Sequence, residues 1–260
     1  METVTGIFNS REAAESVIWQ IHSLGISDEQ IALLTPDMNK KEVEQRVPTA
    51  DTEATGEGEA MGGAVGGAIG VAGGAHLGAL TASLIIPGVG PVIAAGILGA
   101  AILGIWGTAI GVTVGEAVDE ALLEGLPHDE LYLYEYALRR GRSVVIVFAD
   151  NEESAEPVRK IFAHEGAESI DAAGENWWRE IRAAEEAAYY SSGRNFRQDE
   201  LNYRLGFAAA LNKKVQGKPF REVESKLNEL YGAKYRDEGF RRGYERGLIY
   251  KNTSGLKSSV

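Results

Sequence analysis

Between Ala60 and Gly115 the chain carries one ionisable side chain, His76, and this stretch limits the possible folds more than any other. Of 32 glycines, 18 lie between Gly56 and Gly115. Gly62, Gly66, Gly70, Gly74 and Gly78 fall at successive i+4 positions, and Gly63 and Gly67 open a second row that Val71 and Ala75 continue. Glycine costs a helix about 1 kcal/mol relative to alanine, so such a helix needs compensation. A track without side chains supplies it by letting another backbone approach closely, the small-xxx-small logic of membrane helices. Pro87, Gly88, Gly90 and Pro91 interrupt any helix and predict a turn. The second arm, Val92–Gly115, sets Gly99, Gly107, Gly111 and Gly115 along one face, with Ile93, Ile97, Ile102, Ile105 and Trp106 as the bulkier side. The pattern predicts a glycine-zipper helical hairpin over 60–115, with Gly62, Gly66, Gly70, Gly74, Gly78, Gly99, Gly107, Gly111 and Gly115 as helix-packing positions.

Each arm of about 25 residues would be roughly 38 Å long if helical, enough to cross a bilayer's hydrocarbon layer. A hairpin also returns the chain to the side it left, so a domain split by this insertion can close. Three features oppose simple insertion. The first arm is mostly Gly and Ala, and Trp106 is the only interfacial aromatic of its size. The flanks are acidic, with Glu53, Glu57 and Glu59 before and Glu116, Asp119 and Glu120 after, where a cytoplasmic end would carry Lys or Arg. Two settings follow: docking to membrane lipid with the other domains in the cytoplasm, or burial within a soluble cytoplasmic oligomer. His76 reads as a polar residue tolerated at a packing seam.

The flanks read as one α+β domain in two pieces, 1–59 and 116–173. Thr3–Asn9 predicts a strand, Ser10 an N-cap, and Ala14, Val17, Ile18, Ile21 and Leu24 the buried face of a helix stopped by Gly25. Gln30–Thr35 predicts the next strand, Lys40–Val47 a short helix, and Pro48–Glu59 a polar linker. After the insertion, Glu116–Leu123 and His128–Arg140 predict helices. Ser143–Ala149 is a strongly β-branched strand, apolar on both faces. Glu152–His164 predicts a helix and Ala167–Asp171 a weak strand. Two βαβ-like halves with helices on one side suit a ferredoxin-like sandwich. Neither half has a glycine-rich phosphate loop, since TVTGIFNS and VVIVFADN lack G-x-G-x-x-G and G-K-[ST].

Charge is distributed unevenly within a net of −12. Residues 1–60 hold four basic and 12 acidic side chains, residues 116–171 five and 14, and residues 172–260 17 and 12. The acidic parts argue against a nucleic-acid partner. The basic third could meet an acidic surface on its own chain or on a neighbouring copy. With no cysteine, disulfides and thiolate chemistry are excluded. The opening residues, METVTGIFNSREAAE, do not read as a cleavable signal.

In the last third, 174–250, Glu175–Tyr190 predicts a helix in which Trp177 and Trp178 act as anchors. A two-copy repeat follows, 37 residues apart: Tyr203-Arg204-Leu205-Gly206-Phe207 with Leu211, and Phe240-Arg241-Arg242-Gly243-Tyr244 with Leu248. In each copy the glycine predicts close helix contact, covered by the ring and the leucine. Arg204 and Arg241 read as salt-bridge or cap residues before anion ligands. Pro219–Glu224 opens a helix between the copies, and 251–260 predicts a disordered tail.

The βαβ opening, the glycine-rich stretch with its Pro87-Gly88-Val89-Gly90-Pro91 turn, and the Gly141–Asp150 strand resemble bacterial general stress proteins, a heat- or cold-induced group with a glycine-zipper hairpin. The repeat resembles tail segments attached to some of its members. The resemblance implies association with stress and no particular chemistry. The four histidines, His22, His76, His128 and His164, lack metal-ligand spacing, and no serine has a histidine and carboxylate arrangement. Catalytic, cofactor and metal sites are therefore not expected. An enzyme would need Thr5, Asn9, Ser143 and Asp150 to converge. The expected function is a non-enzymatic structural protein that docks to membrane or assembles with its own copies through the hairpin. A soluble oligomeric ligand-binding or regulatory module is the alternative.

Overall fold

A computed structural model describes residues 2–36, 81–86, 90–95, 99, 102, 129–190, 193–215 and 217–253. These fall into two compact units. The sheet unit holds the described residues up to 102 together with Ala137–Ser169, and the helical unit holds 129–136 together with 170–253.

The sheet unit opens with β1 (Glu2–Phe8), α1 (Arg11–His22) and β2 (Ile31–Pro36). Ser10 starts the helix as the sequence implies, its side chain accepting the Ala13 N–H at 3.2 Å. Ala14, Val17, Ile18 and Ile21 form the buried stripe, and Gly25 takes φ +84° where the chain leaves the helix. After the insertion come α2 (Leu131–Arg139), β5 (Ser143–Ala149), α3 (Glu152–His164) and β6 (Glu168–Ser169). Asn151 caps α3 by accepting from the Ser154 N–H at 3.0 Å.

The sheet has the order β3-β4-β2-β5-β1-β6, with β3 (Thr81–Ile86) and β4 (Gly90–Ala95) contributed by the insertion. Every neighbouring pair is antiparallel. The step from β1 to β2 passes over β5, and the step from β5 to β6 passes over β1, so the two βαβ halves interleave. Both crossover helices lie on one face. There Val17, Ile18, Ile21, Val158 and Phe162 pack with Val4, Phe8, Ile31, Leu33, Val145 and Val147. Phe162 sits directly over Gly6, where a Cβ would stand 2.6 Å from its ring. The alternate residues, Ile7, Leu34, Val144 and Ile146, are buried on the other face. All seven residues of β5 are buried, as its unbroken apolar run requires.

The predicted helical hairpin needs correction where the structure describes it. Residues 81–86 and 90–95 are strands. The chain does reverse between them, since Ile86 pairs with Gly90, but Gly90 and Pro91 belong to β4 rather than to a turn between helices. The physical reason is local. Thr81, Ile85, Ile86, Val92 and Ile93 are β-branched, and Pro87 and Pro91 bar a continuous helix. Pro91 precedes the doubly paired stretch of β4, whose residues Val92–Ala95 match Pro36–Leu33 of β2, so its missing N–H leaves that ladder intact. Pro87, Gly88, His76, the glycines Gly62, Gly66, Gly70, Gly74, Gly78, Gly107, Gly111 and Gly115, and the helices expected at Lys40–Val47 and Glu116–Leu123 lie outside the described residues.

The helical unit contains α4 (Ile170–Tyr190), α5 (Phe196–Leu211), α6 (Phe220–Tyr231) and α7 (Glu238–Thr253). The expected strand at Ala167–Asp171 shrinks to Glu168–Ser169, and α4 begins at Ile170, five residues earlier than its charged pattern suggests. Residues 129–136, expected to belong with the sheet, group with the helices. Helix α7 continues through Thr253, so Lys251 to Thr253 are helical and not part of a disordered tail.

Candidate functional site: a glycine-notched helix pair

The two copies of the repeat lie on α5 and α7, and the helices meet through them. A Cβ at Gly206 would stand 1.9 Å from the Phe240 carbonyl oxygen, and a Cβ at Gly243 would stand 1.9 Å from that of Tyr203. The ring-bearing position of each copy therefore presents its backbone to the glycine of the other. This exchange is what two equivalent helices make about a pseudo-twofold axis. Further contacts keep step along the seam: Gly239 lies against Asp199 and Gly247 against Phe207 and Ala210. The partner number rises on both helices together, so α5 and α7 run in the same direction. Gly239, Gly243 and Gly247 form an i+4 glycine row. The small-xxx-small logic expected in the insertion is thus realised in the C-terminal pair. Sequence reading identified Gly243 alone, although the spacing that marks the other two was present.

Around the seam, Tyr203 and Phe207 pack with Trp177, Trp178, Tyr189 and Phe196. On the far side Phe240 and Tyr244 pack with Val223, Leu227 and Ala210. Tyr189 and Tyr203 meet edge to face with centroids 5.1 Å apart, as do Phe196 and Tyr203 at 5.4 Å. Both tryptophans are core residues of the helical unit, 3% and 4% exposed.

Buried rings leave polar tips that need partners, and acidic residues provide them. Glu185 is buried, accepts from Tyr203 Oη at 2.8 Å, and is held by Arg246 through Nε at 2.7 Å and Nη2 at 3.1 Å. Burial, then the neighbouring Glu185, pushes the Tyr203 phenol above its usual range, so it stays a donor. Glu200 accepts two bonds from Arg182, at 2.6 and 2.7 Å, and one from Trp178 Nε1 at 3.0 Å. The Arg182 bond holds its carboxyl below the ordinary range. Asp199 is likewise depressed, by Arg194 first and by Tyr189 second. Arg204 bonds Glu175 at 2.5 Å, and Arg241 bonds Glu245 at 3.1 Å. Both repeat arginines thus carry salt bridges. This geometry locks two helices at backbone contact and directs each of these arginines to a partner within the unit. It is an apparatus for rigidity.

The remaining candidates separate. Ser143 and Asp150 stand at opposite ends of β5 and just beyond it, and Ser143 Oγ donates to Thr35 Oγ1 at 3.2 Å while Asp150 accepts from Gln30. Thr5, Asn9, Ser143 and Asp150 do not converge. His22 lies 2.8 Å from Asp28, and His164 lies 3.1 Å from Glu165, at the ends of their helices. No group of three metal-ligating side chains occurs among the described residues. Gly99 has helical backbone and is buried, and a Cβ there would stand 3.1 Å from the Ala94 Cβ and 3.5 Å from the Leu33 carbonyl oxygen. Its close approach is to the sheet. No protein-family model, curated protein or solved structure matches this chain.

Proposed function

We propose that this chain is a non-enzymatic, stress-associated structural protein that assembles with copies of itself through the glycine-rich insertion. The resemblance to bacterial general stress proteins supports the association with stress. One observation carries the assembly reading: β3 ends the sheet and, among the described residues, is paired on one side only. A six-residue strand with an open side is a template for another strand. A second copy presenting the same edge would close both sheets. The accompanying fold reading is a ferredoxin-like sandwich, supported by the sub-order β2-β5-β1-β6 and by the two crossover helices on one face.

Docking to membrane lipid belongs to the same proposal only in a peripheral form. Two helical arms joined at Pro87–Pro91 would put that turn across the bilayer, whereas β4 beside it pairs with β2. Among the described residues no helix is long and apolar enough to cross a membrane.

Proline substitution along β3 tests the edge. Successive residues of an antiparallel strand aim their N–H groups alternately at the partner and away from it. Of Ala82→Pro and Ser83→Pro, the outward one should dissociate the assembly in light scattering while near-ultraviolet dichroism is kept. The inward one should disturb the hairpin itself. A monomeric parent chain at micromolar concentration, or two variants that both keep the parent's size, would defeat the reading. Sedimentation with phospholipid vesicles, run on the same proteins, separates lipid docking from self-assembly.

A further inference from the structure

Against the paired arginines of the helical unit, one corner holds cations of a different kind. Lys213 lies just past α5, Lys214 and Lys218 follow in the same loop, Arg221 opens α6, and Lys251 is in the last turn of α7. Among the described residues none of these five makes an ion pair with a carboxylate, whereas Arg182, Arg194, Arg204, Arg241, Arg242 and Arg246 all do. The loop is held firmly. Asn212, 3% exposed, accepts the Lys214 N–H at 2.9 Å, and the single proton of Tyr244 Oη is shared between the carbonyls of Lys218 at 3.0 Å and Val215 at 3.3 Å. Gly217 takes φ +77°, and a Cβ there would stand 4.0 Å from Lys251 Nζ, so the loop closes over that amine.

Lys251 is 7% exposed, which is unusual for a lysine. The charges that act on it most are Lys213, in the loop that closes over it, and Glu135 of α2, itself 7% exposed. The buried Lys251 amine loses hydration and is repelled by the half-buried Lys213, and one carboxylate offsets only part of that. Burial first, and Lys213 second, pull Lys251 down to about 8, and burial lowers Lys213 as well. A fold that holds two lysines in this way bears a cost that a multiply charged anion would remove.

We propose that Lys213 and Lys251, framed by Asn212–Val215, Gly217, Lys218 and the end of α7, bind the phosphoryl group of a small phosphorylated ligand. Two amines from separate elements suit an oxyanion of charge near −2, and exposed Lys214, Lys218 and Arg221 extend the positive field toward a second phosphate. Nothing in this inference depends on self-assembly through β3.

Titration calorimetry of the full chain with inorganic phosphate and with pyrophosphate tests it, using chloride at matched ionic strength as control. Saturable one-to-one binding is expected, tighter for pyrophosphate. Lys213→Gln and Lys251→Gln should each weaken it at least tenfold, and Lys234→Gln, a cation outside this corner, should leave it unchanged. Affinity should fall as pH rises past about 8, because Lys251 then loses the proton that the anion needs. Light scattering on the same variants identifies the competing occupant, the acidic surface of a second copy. If the lysine substitutions change the oligomer and phosphate does not bind, the inference is wrong. It is equally wrong if phosphate binds the doubly substituted, folded chain as well as the parent.

Discussion

A Cβ placed 1.9 Å from a carbonyl oxygen cannot be absorbed by rotating a side chain, because the atom it meets is backbone. Gly206→Ala and Gly243→Ala should therefore push α5 and α7 apart and cost about 1–3 kcal/mol or more, the usual range for overpacking. Urea denaturation measures it, and Gly174→Ala is a suitable comparison, since a Cβ there meets its nearest atom at an ordinary 3.6 Å. Charge at the same scale predicts two opposite pH responses. Asp199 and Glu200 are depressed by their arginines, so the stability they add is present above the unfolded carboxylate range and is lost as pH falls through their folded values. Unfolding followed from pH 7 to pH 3 should show a falling midpoint that Asp199→Asn flattens. Lys251 is depressed too, but as a cation it destabilises the fold when charged. That penalty is complete below about pH 8 and fades as pH rises toward the unfolded lysine value. Lys251→Met should accordingly raise the melting temperature at pH 7 in phosphate-free buffer, and should do so less at pH 10.

Elements were legible in the sequence where local signals and burial agree. Ser10 caps α1 as its place before the helix predicts, and Ser143–Ala149 reads as a strand because a run apolar on both faces must lie inside a sheet. The insertion misled because glycine spacing speaks for close approach and not for helix. At 81–95 the β-branched residues and two prolines decided the outcome, together with an unfilled edge on β2 that no local pattern reveals. The lysine corner was invisible for a related reason: Glu135, Lys213 and Lys251 are far apart in sequence, and only the packing of α2, α5 and α7 brings them together. The repeat was legible in part, since the aromatic-glycine spacing predicts contact but not which copy meets which. In the loop between α5 and α6, Tyr244 is a side chain that reads the Val215 and Lys218 carbonyls. Tyr244→Phe keeps the ring and removes this shared bond, so a loss of about 0.5–1.5 kcal/mol is expected. Hydrogen exchange should show the loss confined to the Asn212–Lys218 segment while the amides of α5 keep their protection.

At the level of the whole chain, the insertion is not a passenger in a split domain. Were it a helical hairpin standing apart from the sheet, a chain with 60–115 replaced by a short linker would keep its full core. The topology says otherwise, because β4 covers the outer side of β2 through Leu33–Pro36, and Ala95 and Val92 contribute to the buried layers on the two faces. Removing it turns β2 into an edge strand that carries Ile31, Ala32, Leu33 and Leu34, all buried in the intact chain. An apolar edge of that kind recruits other strands. The shortened chain should therefore have a lower melting temperature and should aggregate on concentration, while the helical unit keeps its own transition. A second shortened chain that retains 81–95 and loses the flanking glycine-rich residues should recover the sheet's stability, since β4 is then restored. Two-transition calorimetry of the three chains decides the matter. Equal stability in the chain without 60–115 and in the parent would mean that β3 and β4 contribute nothing to the sheet.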